Sequence, residues 1–252
     1  MRTLVLYAAY FCLLQSVRAQ TSYTWNGSVS TAWNTPANWT PGGVPAAADN
    51  VTIVTGGNNC ILAANTSINN ITLTSGTLNL GGYTLTAGGT NASFTGGSAL
   101  NGTLVVAGAT TTVFGGGAVT MNCAVTVTSA AITLKNTTFQ GVTSLTKTGP
   151  TNDASAGNNV FNGALTVTNN GAGVLYLGNG NPDQYNAAAT FNNNGGNNLD
   201  IAWNSTGNVF NGPVTFNNNP TTNNGIYVSW YSTGTVFNNS LTVSSSGGTG
   251  VQ

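Results

Sequence analysis

The chain contains no histidine and no glutamate, and charged residues make up 3% of its 252 positions. An ordinary soluble domain carries about 25%. The acidic residues are Asp49, Asp153, Asp183 and Asp200, and the basic ones are Arg2, Arg18, Lys135 and Lys147. Without histidine, a nucleophile paired with an imidazole base is excluded, and cysteines alone at these spacings make no zinc site. So few Lys and Arg argue against phosphate recognition, hence against a nucleic-acid partner, and against a polybasic membrane patch. Residues 4–14 are apolar, but eleven residues are too few to span a bilayer.

That short apolar run does fit a secretory leader. Arg2 precedes it, and Val17-Arg18-Ala19 offers small residues at the positions before a cut ahead of Gln20. Residues 1–19 are therefore expected to be a signal peptide. Large neighbours of Cys12, Tyr10 and Phe11, speak against a lipid anchor. The mature chain would hold two Lys and four Asp, a formal charge of −2, and the cysteines Cys60 and Cys123. These could pair in an oxidising compartment or stay as small buried thiols.

Glycine, asparagine and threonine take the places that charges usually occupy. Disorder is the first consequence to weigh, but disordered segments lack regularly spaced large apolar residues. Here such residues recur in period-two runs, as in Ile71-Thr72-Leu73, Tyr83-Thr84-Leu85, Val125-Thr126-Val127 and Ile132-Thr133-Leu134. Alternation of this kind is the mark of half-buried strands. Residues 20–53 differ in carrying Trp25, Trp33 and Trp39, and read as a Trp-rich cap over one end of a stack.

Internal repeats carry the fold assignment. Phe161-Asn162-Gly163-Ala164-Leu165-Thr166-Val167-Thr168 recurs from Tyr185, from Phe210 and from Phe237, at spacings of 24, 25 and 27 residues. Between the copies lie Leu175-Tyr176-Leu177, Leu199-Asp200-Ile201 and Ile226-Tyr227-Val228. Two or more short strands per repeat, with no helical period, suit one turn of a β-solenoid. The expected fold is therefore all-β, a parallel β-helix over residues 54–252 with an aromatic N-terminal cap. Stacking would turn Leu165, Ala189, Val214 and Leu241 inward, place Phe161, Tyr185, Phe210 and Phe237 in a corner column, and let Asn162, Asn186, Asn211 and Asn238 form an amide ladder.

The opening Trp25…Trp33…Asn38-Trp39…Pro45…Asp49-Asn50-Val51-Thr52-Ile53, the run from Ile68 to Leu85 and the Phe-Asn-Gly-X-Leu/Val-Thr block resemble large secreted surface proteins of Bacteroidetes-type bacteria. The resemblance implies an extracellular, adhesin-like repeat protein, often exported with a C-terminal sorting domain. Here the sequence stops at Gln252 in mid-repeat, so the repeats are expected to be truncated.

Two surfaces are candidates for ligand contact. Tyr176 aligns with Tyr227, and Trp203 with Trp230; inward they would be core or a structural ladder, the commoner role, and outward they could stack on sugars. Thr166, Thr190, Thr215 and Thr242 form a hydroxyl column that could meet an ordered lattice such as ice, although threonine also simply suits outward strand positions. Asp183 and Asp200 stand at different offsets from their aromatic anchors and are expected on different faces, which leaves no carboxylate pair for glycoside hydrolysis. The function expected is a secreted structural or adhesive module without catalysis or cofactor. Carbohydrate binding and ice binding are the alternatives. Partners would be extracellular glycans or other surface proteins, with end-to-end self-association at an open edge of the stack.

Overall fold

The computed structural model describes residues 19–220 and 222–252, so the expected leader falls outside it but for Ala19. From Asn50 onward the backbone winds through about nine turns of a parallel β-solenoid. Most turns carry three short strands, whereas Gly97–Phe114 and Val119–Leu134 each run round their turn as one continuous strand. In one turn the three are Leu175–Tyr176, Gln184–Tyr185 and Ala189–Asn193; in the next, Leu199–Ile201, Val209–Phe210 and Val214–Asn218. Each strand pairs in parallel with its equivalent one turn away, which gives the stack three faces.

Register explains the sequence pattern. On the third face Leu165, Ala189, Val214 and Leu241 are directly stacked, as are Val167, Phe191, Phe216 and Val243. All are buried except Leu241 and Val243, which are half exposed on the last described turn. The alternate residues point outward because successive side chains of a strand leave opposite faces.

The aromatic column continues further than the repeats suggest. Phe139, Phe161, Tyr185, Phe210 and Phe237 stack with centroids 4.4–5.3 Å apart and planes within 9° of parallel. Outside it, Asn186, Asn211 and Asn238 each donate from Nδ2 to the Oδ1 of the asparagine one turn before, at 2.7 Å. Asn162 donates to Gln140 Oε1 at 2.9 Å. The expected amide ladder is present, on the solvent side.

Turn length departs from the 24–27 residues of the visible repeats. Strand register gives 19 residues from Thr66 to Leu85 and 18 from Val125 to Thr143. The later turns are longer because the corner after the first face grows. It occupies residues 74–76 in an early turn and 177–183 in a later one. Short corners demand tight backbone: Gly97 has φ 78°, and a Cβ there would lie 2.5 Å from the carbonyl oxygen of Gly76 in the turn before.

Cys60 and Cys123 are buried free thiols. Register places them three turns apart, about 14 Å at the usual strand spacing, beyond disulfide reach. Burial raises both thiols, Cys123 to about 12. At the N-terminal side, Ser22–Trp25 pairs in parallel with Asn50–Ile53. Trp25, Trp33 and Trp39 are buried there, with the Trp39 ring edge-on to the other two at 4.9 and 4.7 Å.

Asp153 is not the isolated acid that the sequence suggests. The main-chain NH groups of Ile132 and Leu134 turn to side chains, Asp153 Oδ2 at 2.9 Å and Ser155 Oγ at 3.0 Å. The same Asp153 oxygen lies 2.8 Å from Lys147 Nζ, and both side chains are inside the stack. Lys147 Nζ also donates to the carbonyl of Ala130 at 3.0 Å. Losing one member of a buried pair strands the other charge. Lys147→Met should therefore destabilise the fold by about 3–5 kcal/mol in denaturant titration, and Lys147→Met combined with Asp153→Asn should recover a large part of the loss. An unchanged midpoint for the single variant would contradict this role.

Candidate functional site

The site grows out of the first face of the last turns. Leu175, Leu199 and Ile226 are stacked and buried, so the next residues, Tyr176, Asp200 and Tyr227, turn outward as one column. The chain then makes a sharp corner. Its three equivalents are Gly178-Asn179-Gly180, Ala202-Trp203-Asn204 and Ser229-Trp230-Tyr231. Both glycines have positive φ, 60° and 85°. Seven non-glycine residues among those described also have positive φ. Four of them flank the two tryptophans: Ala202 (58°), Asn204 (48°), Ser229 (63°) and Tyr231 (55°).

A left-handed backbone strains residues that carry a Cβ, and such strain concentrates at functional sites. The corner therefore demands glycine-like geometry, one turn supplies glycine, and the next two set side chains there. The corners are held by Trp203 N donating to the Leu177 carbonyl and Asn204 N to the Trp230 carbonyl, both at 3.0 Å.

The result is an aromatic cleft on the outer surface. Tyr176, Asn198, Asp200, Trp203, Tyr227, Trp230 and Tyr231 line a space of about 220 Å³. The rings stand on edge to one another: Tyr176–Trp203 at 5.0 Å and 60°, Trp203–Tyr231 at 5.5 Å and 89°, and Tyr227–Trp230 at 4.7 Å and 88°. Trp230 is 39% exposed and Tyr231 76%. The four aromatic residues expected mainly as core or structural ladder are thus brought together on the outside. Alternation turns Tyr176 and Tyr227 outward from the strand, and the left-handed corner breaks the alternation that would have sent Trp203 and Trp230 inward.

Three members, Asn198, Asp200 and Tyr231, were not named from the sequence as cleft residues. Tyr231 carried no repeat signal. Asp200 did carry one, since it occupies the tyrosine position of its block. Its carboxylate lies between Tyr176 and Tyr227 in the column and is 3% exposed, and Oδ1 is enclosed without a hydrogen-bond partner. Burial pushes the Asp200 carboxyl up to about 7. Tyr176 is raised too, first by burial and then by the charge of Asp200.

Asp183 lies elsewhere, as expected. It belongs to an interior column in which Asn159 N donates to Asp183 Oδ1 and Asp183 N to Asn208 Oδ1, both at 2.8 Å. Burial raises its carboxyl to about 6, against hydrogen bonds from Asn159, Tyr185 and Gly178 that lower it.

The threonine column is in register, with Thr166, Thr190 and Thr215 part-exposed and Thr242 exposed. Two residues on, Thr128, Thr146 and Thr168 form a second outward hydroxyl column beside Thr126, Ser144 and Thr166, and Asn192 and Asn217 take its place in the later turns. Ala164, Ala188, Pro213 and Ser240 flank the first column on one side. On the other, Asn192 donates to Thr168 Oγ1 and Asn217 to Asn192 Oδ1, so these polar groups bond along the stack. A larger hollow of about 470 Å³ near Trp33 and Pro45 is lined by alanine, threonine, serine and asparagine, without an ionisable group.

The two raised carboxyls set the direction of pH dependence. A carboxyl with a raised folded-state pKa binds protons more tightly folded than unfolded, so its stabilising effect is full below about pH 4 and fades as pH rises through its folded value. Here that window ends at about 6 for Asp183 and about 7 for Asp200. Asp200→Asn and Asp183→Asn should each flatten the fall in melting temperature between about pH 4 and pH 8. Variants whose melting curves track the parent at both ends would show that these groups ionise freely.

No protein-family model, curated protein or solved structure matches the chain, so the chemistry of this cleft has to be read from its own residues.

Proposed function

We propose that the protein is a secreted, non-catalytic contact module of a bacterial surface or matrix protein, and that it holds a saccharide unit of an extracellular polymer in the aromatic cleft. The observation that carries the proposal is the outward cluster of Tyr176, Trp203, Tyr227, Trp230 and Tyr231 around Asp200. Pyranose rings present apolar C–H faces that pack on aromatic rings, and their hydroxyls need a few placed polar groups. Asp200 and Asn198 are the polar residues that line the same cleft. The strained corners fit a site that the fold maintains at a cost.

The leader-like N-terminus, the solenoid repeats and the resemblance to secreted surface proteins support the extracellular setting. Non-catalytic contact is supported by the setting of the carboxyls: glycoside hydrolysis normally works with a pair flanking the scissile bond, whereas Asp200 is the carboxyl that lines the cleft and Asp183 is buried in hydrogen bonds inside the stack. A flat hydroxyl lattice is served only in the turns up to Thr166 and Thr168, because in the later turns the second outward column carries Asn192 and Asn217, whose side chains bond along the stack.

A glycan array followed by calorimetry tests the proposal. Trp203→Ala and Trp230→Ala should each weaken saccharide binding by about tenfold or more, as removal of a stacking aromatic anchor does. Binding unchanged in both variants, absence of binding to any glycan, or polysaccharide turnover by the purified chain would each overturn it.

A further inference from the structure

The charge arrangement of the cleft goes further than its shape. Asp200 is almost fully enclosed, yet its Oδ1 has no donor. Above and below it in the column stand Tyr176 and Tyr227, with the rings of Trp203, Trp230 and Tyr231 completing the walls. Aromatic faces carry the negative part of the ring quadrupole, so they attract cations. No lysine or arginine is among the described residues that line the space. Lys147 is fixed on Asp153 in the interior, and Lys135 lies in an earlier turn, bridged to Gly157. The cleft thus joins a carboxylate and electron-rich ring faces with no positive group to balance them.

We infer, building on the saccharide reading, that the unit held in the cleft is an amino sugar whose free ammonium group sits against Asp200 and the surrounding rings. A neutral hydroxyl beside the Asp200 carboxylate would leave its charge uncompensated. An ammonium balances it, and its bond to a carboxylate is of the stronger, charge-assisted kind. The sugar frame meanwhile offers C–H faces to the rings. Burial raises the Asp200 carboxyl to about 7, so an ammonium binds its ionised form and favours release of its proton.

The test uses the whole mature chain and three tetrasaccharides of the same linkage, one of glucosamine, one of N-acetylglucosamine and one of glucose, titrated calorimetrically at a pH slightly below neutral. The glucosamine tetramer should bind at least about tenfold tighter than the other two. Asp200→Asn should erase that preference while retaining weak binding of all three. Trp230→Ala, at an exposed position, should weaken all three together. Equal affinity for the N-acetylated or glucose tetramer would overturn the ammonium assignment and leave the saccharide reading standing. A preference that survives in folded Asp200→Asn would likewise overturn it. Binding of none of the three would overturn both readings, and so would binding of tetramethylammonium chloride alone.

Discussion

Everything in this molecule depends on parallel turns stacking in register. Once each strand pairs with its equivalent one turn away, every side chain lies over a counterpart at the strand spacing of about 4.8 Å. Like then meets like. Aromatic rings stack with rings through five turns, outward asparagines bond to asparagines, and inward leucine and valine close the core. Such an arrangement penalises charge, because stacked like charges repel at short range. The composition with 3% charged residues fits that constraint. The interior lysine enters with an aspartate beside it, where the first face gives up main-chain bonds for side-chain ones.

The same rule that makes the scaffold monotonous makes the cleft possible. A corner requiring a left-handed backbone recurs in three successive turns. Where glycines fill it the surface is bare, and where Ala202, Asn204, Ser229 and Tyr231 fill it the intervening tryptophans are lifted outward. Stacking then places rings from neighbouring turns against one another, and the Asp200 column brings a carboxylate between two tyrosines. The cleft is thereby assembled from one to three residues of each of three successive repeats, each of them unremarkable in its own turn.

This explains what could be read beforehand. The later turns repeat recognisably because Phe161, Tyr185, Phe210 and Phe237 must overlap, and the overlap demands similar residues at similar spacing. The earlier turns share the fold without the copies: Leu85, Leu104 and Val125 occupy equivalent positions, and any inward apolar residue satisfies them. Variable corner length hid their 18–22-residue period. Alignment of Trp203 with Trp230 was visible, but their outward direction was not, since period-two alternation fails at a left-handed corner. Asp200 looked isolated because its neighbours in space are one turn away in the chain. The partnership of Lys147 with Asp153 was hidden for a different reason: it lies across an interior corner, where no periodicity applies.

Register is also open to direct measurement. Thr190 and Thr215 are paired on adjacent turns and point outward, whereas Thr166 lies two turns from Thr215. Thr190→Cys with Thr215→Cys places two Cα atoms about 4.8 Å apart, within disulfide range. Thr166→Cys with Thr215→Cys places them about 10 Å apart, outside it. Cys60 and Cys123 are buried and should not compete. Under mild oxidation the adjacent pair should close to near completion within one chain while the two-turn pair remains reduced, as read by mass spectrometry of the intact and digested protein. Failure of the adjacent pair to close, or equal closure of both, would contradict an in-register parallel stack.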